Sequence, residues 1–343
     1  MSRNEWRPIH PLDIPFERVP YEARSSGGLP YTRWATVGMP KLGEYQYLLD
    51  IVFFLYPNEE DAKKGANAGG TGFFVALPSD IAPDHLHHLY AVTNWHVAVN
   101  SGSSVIRINR TDGGVEIFEF GPDEWEFVPN GHDVAVIPID LDPKVVKAEA
   151  ILATSFFLTD EWIKEKEINA ADDVFVLGRF VDAEGVNKNN PAMRFGNISM
   201  MEARVNLRER ASSLPPSIVV DMHSRTGFSG SPVFVYRTAG SLFGDGKGLM
   251  SSGHMMHLLG ILWGQFPEAW DINDPDAPPT LDGKKKTVEG MSGMSTVAPA
   301  RAIWDTLHTP RLRELRATKE AEWRTQLGSP PINIKISRAS PAE

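Results

Sequence analysis

Cysteine is absent from all 343 residues. No disulfide can brace this fold, and the composition suits a reducing cytosol. Long apolar runs are absent too. None approaches the length of a membrane span, and the longest near the start, Ile51 to Tyr56, has the length of a strand. The first residues, Met1-Ser2-Arg3-Asn4-Glu5-Trp6, are not followed by an apolar stretch of signal-peptide length. Positive charge is in deficit: 34 basic side chains stand against 44 acidic ones, for a net charge of −10. That balance argues against nucleic acid or an anionic membrane as the main partner. No internal repeat or low-complexity block is present. The expectation from these absences is a soluble, untargeted, cytoplasmic chain.

What is present is a core and a pattern. Hydrophobic residues make up 42%, and the length has room for about two domains of ordinary size. Residues 1–44 are rich in Pro, Gly, Arg and Ser without a clear period and read as an N-terminal arm, parts of which dock through Trp6, Tyr31 and Trp34. Short strands with turn signals between them follow from Tyr47 to Ile139, so residues 45–142 read as a first β-barrel. Residues 143–170 are more charged and helical and read as a connection. Residues 171–300 read as a second β-barrel, beginning near Asp173-Val174-Phe175-Val176-Leu177. Within it, Pro267 to Gly290 reads as a long polar loop holding Asp271, Asp274, Asp276 and Lys284-Lys285-Lys286. Residues 301–327 read as one helix whose Ile303, Trp304, Leu307, Leu312 and Leu315 pack on the second barrel. Residues 328–343, with Pro330, Pro331 and Pro341, read as a loose tail.

The chemistry concentrates around Thr226-Gly227-Phe228-Ser229-Gly230-Ser231-Pro232. A serine framed by glycines sits on a sharp turn with its hydroxyl in the open, and the N–H groups of Gly227 and Ser229 can point at one spot beside it, as an oxyanion hole requires. An alcohol needs a neighbouring base, and the base needs an orienting carboxylate. His96 ends an apolar strand, and Asp133 precedes an alternating one, Val134-Ala135-Val136-Ile137. The order His, Asp, Ser is one of the known orders of that triad. Ser231 and Ser224 are rival serines: Ser231 precedes a proline and lacks the two-glycine frame, and Ser224 reads as part of a pocket wall.

Residue by residue, these segments resemble the chymotrypsin-fold serine peptidases. Thr93-Asn94-Trp95-His96-Val97 resembles the family's histidine motif, and Asp133-Val134-Ala135-Val136 its aspartate motif. Gly227-Phe228-Ser229-Gly230-Ser231-Pro232 resembles its serine motif. Gly260-Ile261-Leu262-Trp263-Gly264 resembles the strand that lines the substrate main chain, and Gly69-Gly70-Thr71-Gly72-Phe73 the opening of the strand before the histidine. The match covers about residues 45 to 305, its five segments come in the family's order, and the nearest branches are the bacterial HtrA-type proteases and glutamyl endopeptidases. The resemblance implies an all-β fold of two antiparallel barrels with the site between them and a C-terminal helix. It implies an endopeptidase with His96, Asp133 and Ser229 catalytic, Gly227 and Ser229 as oxyanion donors, and a protein or peptide substrate bound along Leu262, Trp263 and Gly264. His223 then lies near the base of the substrate pocket and Ser224 in its wall.

Two departures stand out. Phe228 occupies the place where the trypsin branch has the aspartate of zymogen activation, so that switch is absent. Leu262 stands where glutamyl endopeptidases carry a histidine that reads an acidic side chain, so glutamate specificity is not expected. The stretch after Pro299 is too short for the PDZ domain of HtrA proteins. A small or medium apolar side chain before the cut is expected, since the region Met222-His223-Ser224 has no acid of the trypsin kind. The alternative is a catalytically silent or self-inhibited module that keeps the fold and binds a peptide strand. His85, His87 and His88 invite a metal reading, but no Cys/His pair follows at ligand spacing, and they read as a polar loop. His132 reads as a spectator beside Asp133. No metal or organic cofactor is expected.

Overall fold

Short apolar runs broken by glycine, proline and polar turns become strands in the computed structural model, thirteen of them among the described residues. It describes residues 45–181, 185–204, 215–222, 227–238, 254–271 and 287–326, all within one compact unit, Tyr31–Glu343. The arm over residues 1–44, the tail over 328–343, His223, Ser224, Asp274, Asp276 and Lys284–Lys286 lie outside the described residues.

The first sheet contains β1 (Val52–Tyr56), β2 (Gly70–Pro78), β3 (His87–Thr93), β4 (Val105–Asn109), β5 (Val115–Phe118), β6 (Ala135–Pro138) and the short β7 (Ile151–Leu152). Its order is β5-β4-β1-β2-β3-β6, with β7 parallel to β2. The second sheet contains β8 (Asp173–Arg179), β9 (Pro191–Ala203), β10 (Ser217–Asp221), β11 (Pro232–Thr238), β12 (His254–Asp271) and β13 (Thr287–Pro299). It closes as a barrel, β10-β13-β12-β11-β8-β9. The architecture is the all-β, two-barrel chymotrypsin type. One difference from expectation is that the first sheet follows an open strand path, bridged by an isolated pair at Glu126 and Val136.

Side chains alternate across a strand, so a strand buried on both faces must be apolar at every position. β2 and β8 meet that condition. In β2, Phe74 and Ala76 point into the first sheet's own core, while Phe73 and Val75 join a cluster shared with the second sheet. In β8, Val174 and Val176 fill the second barrel, while Phe175 and Leu177 enter the same shared cluster. This shared cluster, reaching Phe234, Leu258 and Ile261, joins the two sheets.

Three segments depart from the sequence reading. Residues Tyr45–Ile51, expected as strand, form a 3₁₀-helix. Leu48 and Ile51, three apart, are both fully buried while Leu49 and Asp50 are not, which is the 3₁₀ period. Helices α1 (Glu59–Lys64, capped by Asn58), α2 (Ala153–Phe156) and α3 (Asp160–Glu165) are short. The region read as a loop from Pro267 is partly strand: β12 and β13 continue as a paired hairpin out to Asp271 and Thr287. The C-terminal helix is two helices, α4 (Ala300–Leu307) and α5 (Pro310–Gln326). Pro310 lacks an N–H and restricts the residue before it, so one helix ends and another begins there.

The docking of α5 also differs. Ile303, Leu307 and Leu312 are buried in the shared cluster, but Leu315 is exposed. The rest of α5 attaches to the first sheet through polar contacts. Arg316 donates to the Tyr90 hydroxyl (2.9 Å), and Lys319 pairs with Asp140 (2.9 Å). Glu320 accepts from the Asp80 N–H (2.9 Å) and lies 3.1 Å from His88 Nε2. His88 is therefore a buried strand residue, stacked on Trp323, and not part of a polar loop. Burial pushes the His88 imidazole below its ordinary pKa, against the upward pull of Glu320 and with a downward push from Arg316. Burial raises the Glu320 carboxyl, but the hydrogen bonds from His88 and Asp80 outweigh it and leave it below the carboxylate range.

Both shifts have one sign. A group with a depressed folded pKa binds fewer protons when folded, so its contribution is lost on acidification. For His88 the loss begins as pH falls below the ordinary histidine value of about 6.5, and for Glu320 below about 4.3. The thermal midpoint of the wild type should therefore approach that of His88→Gln as pH falls from about 7 to about 5. A difference that stays constant across that range would exclude this linkage.

Candidate active site

His96 and Asp133 meet in the first sheet. β3 ends at Thr93, and His96 begins a π-helical turn, His96–Asn100, instead of ending a strand. The Val97 and Ala98 N–H groups both return to the Asn94 carbonyl, and the Ser101 N–H to that of His96. The turn lifts the imidazole off the sheet while Val97 and Ala98 are buried beneath it. Asp133 comes just before β6, which pairs with β3 through Thr93↔Ala135, so the two residues stand at neighbouring strand ends.

The Asp133 carboxylate is doubly engaged. Its Oδ1 accepts the His96 backbone N–H at 2.9 Å, and its Oδ2 lies 2.5 Å from His96 Nδ1. The Asp133 carbonyl accepts from Asn94 Nδ2 at 2.7 Å. A carboxylate accepts at both oxygens, so the tautomer this geometry favours in the neutral ring has the N–H at Nδ1 and the lone pair at Nε2. Asp133 is 12% exposed and His96 36%: the tied edge of the pair is buried and the imidazole is partly open.

Ser229 arrives from the second barrel. Gly227 (φ +102°) and Gly230 (φ +85°) both sit in the left-handed region that glycine tolerates. Between them Phe228 is fully buried in the second barrel's core, and Ser229 is half-buried. The turn is closed by Ser231 N–H to Phe228 carbonyl (3.0 Å). It is fixed to β12 by Gly230 N–H to Leu262 carbonyl and Leu262 N–H to Ser231 carbonyl (both 2.9 Å). It is fixed to the first sheet by Thr71 N–H to Ser229 carbonyl (2.9 Å).

The same small region carries His96. A methyl placed on Gly70 would lie 2.8 Å from Val97 Cγ1 and 3.0 Å from the Ser229 carbonyl oxygen, so the turn after His96 and the Ser229 turn press on one residue of β2. A methyl on Gly230 would lie 1.9 Å from the Thr71 carbonyl oxygen and 2.4 Å from Thr93 Oγ1. The structure thus joins His96 to Asp133 directly and brings Ser229 to the same junction. The Ser229 hydroxyl makes no hydrogen bond to the His96 ring.

Among the described residues, the N–H groups of Gly227 and Ser229 make no hydrogen bond within the chain. A trans peptide directs its N–H opposite to its carbonyl, so the Ser231–Phe228 bond turns the Ser229 N–H outward from the turn. Ser231 is wholly buried, which removes it as a rival nucleophile. The side chain of Leu262 is buried in the second barrel's core and both its main-chain groups serve the Ser229 turn. The pairing of β12 with β11 ends at Ile261↔Pro232, while its pairing with β13 runs on to Asp271. Among the described residues, a strand edge without a partner therefore begins at Trp263 and Gly264, one residue beyond the sequence expectation. The Trp263 indole donates to Ser217 Oγ at 3.2 Å. Sequence reasoning missed Asn94 and Thr71 as working parts of this junction, although both stand inside the motifs it quoted.

No family model matches the chain, and no curated protein does. Among solved structures, it is similar to the MamO protease domain from Magnetospirillum magneticum in its apo form, with TM-score 0.43 and 16% identity, covering 77% of this chain and 100% of that one. It is similar to the Rv3671c protease of M. tuberculosis H37Rv in an inactive form, with TM-score 0.38 and 16% identity, covering 80% and 98%. It is also similar to the HtrA-type protease AlgW with decapeptide, with TM-score 0.39 and 17% identity, covering 73% of this chain and 59% of that one. Among the described residues, no helix is long and apolar enough to cross a membrane.

The close approach at Gly230 generates a stability prediction. Gly230→Ala adds a methyl where backbone already stands, at positive φ, and should cost more than about 3 kcal/mol. Gly102→Ala is the control: its φ is +68° but nothing lies within 4 Å, so only the left-handed penalty of about 1–2 kcal/mol applies. Urea unfolding of the two variants measures the difference, and equal costs would contradict the packing described.

Proposed function

We propose that the chain is a serine endopeptidase that hydrolyses peptide bonds of protein or peptide substrates by acyl transfer. Ser229 attacks the scissile carbonyl. His96 Nε2 takes its proton and later delivers it to the leaving amine, and Asp133 holds the imidazole in the tautomer this needs. The observation that carries the reading is the His96–Asp133 pair, tied at both carboxylate oxygens, beside the turn that bears Ser229. The N–H groups of Gly227 and Ser229 act on the developing oxyanion, each donor contributing about 3 kcal/mol of transition-state stabilisation. Trp263 and Gly264 offer the edge to which an extended peptide adds as a strand. His223 and Ser224 belong to the pocket for the side chain before the cut, for which we propose a small or medium apolar group. The chemistry uses neither metal nor organic cofactor. A cysteine-free chain suits a reducing compartment, and we propose the cytoplasm.

One observation favours a second reading. The Ser229 hydroxyl and the His96 ring are not hydrogen-bonded, as in a module that binds a peptide strand and does not cut it, silent or self-inhibited. Catalytic hydrogen bonds in unliganded sites are often long and tighten on substrate, so cleavage ranks first.

Fluorophosphonate labelling separates the two. The wild type should label at Ser229 and Ser229→Ala should not. His96→Gln should label at least about 100-fold more slowly, and Asp133→Asn should lose up to about 10⁴-fold in turnover. Labelling of the wild type no faster than Ser229→Ala removes the nucleophile and leaves the binding module.

A further inference from the structure

Every polar group of Thr71, main chain and side chain, is engaged at this junction. Its N–H donates to the Ser229 carbonyl (2.9 Å), and its carbonyl accepts from Thr93 Oγ1 (2.7 Å). Its hydroxyl accepts the Arg179 N–H (2.9 Å) and donates to the Gly227 carbonyl (2.8 Å). The side chain is fully buried. The hydroxyl proton has no choice of direction, because the Arg179 N–H can only donate and the Gly227 carbonyl can only accept. One oxygen of the first sheet thus bridges the end of β8 to the Ser229 turn.

We infer that the Thr71 hydroxyl is a positioning residue for the oxyanion site, a role that rests on Ser229 as the nucleophile. Its bond holds the Gly227–Phe228 peptide, which links the two donor-bearing peptides, in one orientation and so fixes one relative to the other. The Ser231–Phe228 bond holds the next peptide, which carries the Ser229 N–H. Gly227, at φ +102°, has no side chain to restrict it. Without the hydroxyl, no other described group takes the Gly227 carbonyl, and that peptide is free to turn. A donor site that is no longer held stabilises charge poorly, because preorganisation is the source of its effect. Arg179, whose guanidinium donates to the Ala68 carbonyl at 2.7 Å, fixes the other end of the bridge.

Thr71→Ser keeps the oxygen and Thr71→Ala removes it, so this pair isolates the hydroxyl; Thr71→Val adds a variant of near-native shape. Three readouts are taken on folded protein well below the thermal midpoint: the fluorophosphonate labelling rate, kcat and KM on a peptide substrate, and amide hydrogen exchange in residues 227–234. The expected result is a fall of about tenfold or more in labelling rate and kcat for Thr71→Ala, with KM within about threefold. Thr71→Ser should stay within about threefold of wild type. Exchange in 227–234 should quicken in Thr71→Ala and not in Thr71→Ser. A purely structural role would lower the thermal midpoint and leave kcat of the folded enzyme unchanged, which would overturn the inference. Equal exchange in the Ala and Ser variants would overturn it as well, whether or not the protein labels. A wild type that fails to label, with exchange still differing between the variants, would instead reject Ser229 as nucleophile while the hydroxyl's hold on the turn stands.

Discussion

The main-chain hydrogen bond from Thr71 to the Ser229 carbonyl is the contact on which the site turns. His96 and Asp133 belong to the first sheet and Ser229 to the second, so no secondary structure element carries all three. Their relative placement comes from the seam between the sheets. Along it β2 presses on the Ser229 turn so closely that a side chain at Gly230 would collide with the Thr71 carbonyl, and one at Gly70 with Val97. The shared apolar cluster of Phe73, Val75, Phe175, Leu177 and Phe234 supplies the driving force for closing the seam, being buried only when the sheets meet. The hydrogen bonds supply its register, since apolar contact has no direction.

The two halves of the site are built to different standards. The His96–Asp133 pair is complete within one sheet, with both carboxylate oxygens taken and the Asp133 carbonyl held by Asn94. Its tautomer is set before any substrate or serine is considered. The Ser229 turn is held differently. Phe228 buries its whole ring in the second barrel. Burying a phenylalanine contributes roughly 1.5–3 kcal/mol and depends on neither pH nor a free chain terminus. The turn is therefore anchored by packing on one side and by the Thr71 hydroxyl and main-chain bonds on the other.

Much of this was legible in the chain. The segments around His96, Asp133 and Ser229, which the structure brings to one junction, stand out by residue type, and β2, β3, β6 and β8 are apolar enough to be read as strands. What escaped reading depends on partners distant in sequence. Leu48 to Ile51 adjoins a continuous apolar run, and only the burial of every third residue distinguishes a 3₁₀-helix from a strand there. The outer parts of β12 and β13 are polar and do not alternate cleanly; they are strands because they pair with each other. The docking of α5 rests on Arg316, Lys319 and Glu320 meeting Tyr90, Asp140 and His88, and nothing within the helix names those partners. Thr71 stood inside a quoted motif, yet its hydroxyl acquires meaning only beside Gly227 and Arg179.

A chain without cysteine must hold its irregular loops by other means, and buried arginines serve here. Arg107, in β4 and 0% exposed, donates to the carbonyls of Gly185 and Val186 and to Asn189 Oδ1, reaching from the first sheet to a loop of the second. Arg179 reaches the other way, from β8 to the Ala68 carbonyl. Arg237 grips Asp172 with two bonds (2.7 and 2.8 Å) and takes the carbonyls of Lys166 and Glu167. Loop carbonyls buried away from water need donors, and a guanidinium brings five in a rigid planar fork. Each hydrogen bond to a charged group contributes about 1.5–3 kcal/mol, but burying the ion costs several kcal/mol, so the net gain in stability is modest. What the fork adds is position: Arg107 and Arg237 each hold two successive loop carbonyls with one planar group. A disulfide would fix the same loops only in an oxidising compartment, whereas these contacts are indifferent to redox state and two of them cross the seam that aligns Ser229 with the His96–Asp133 pair.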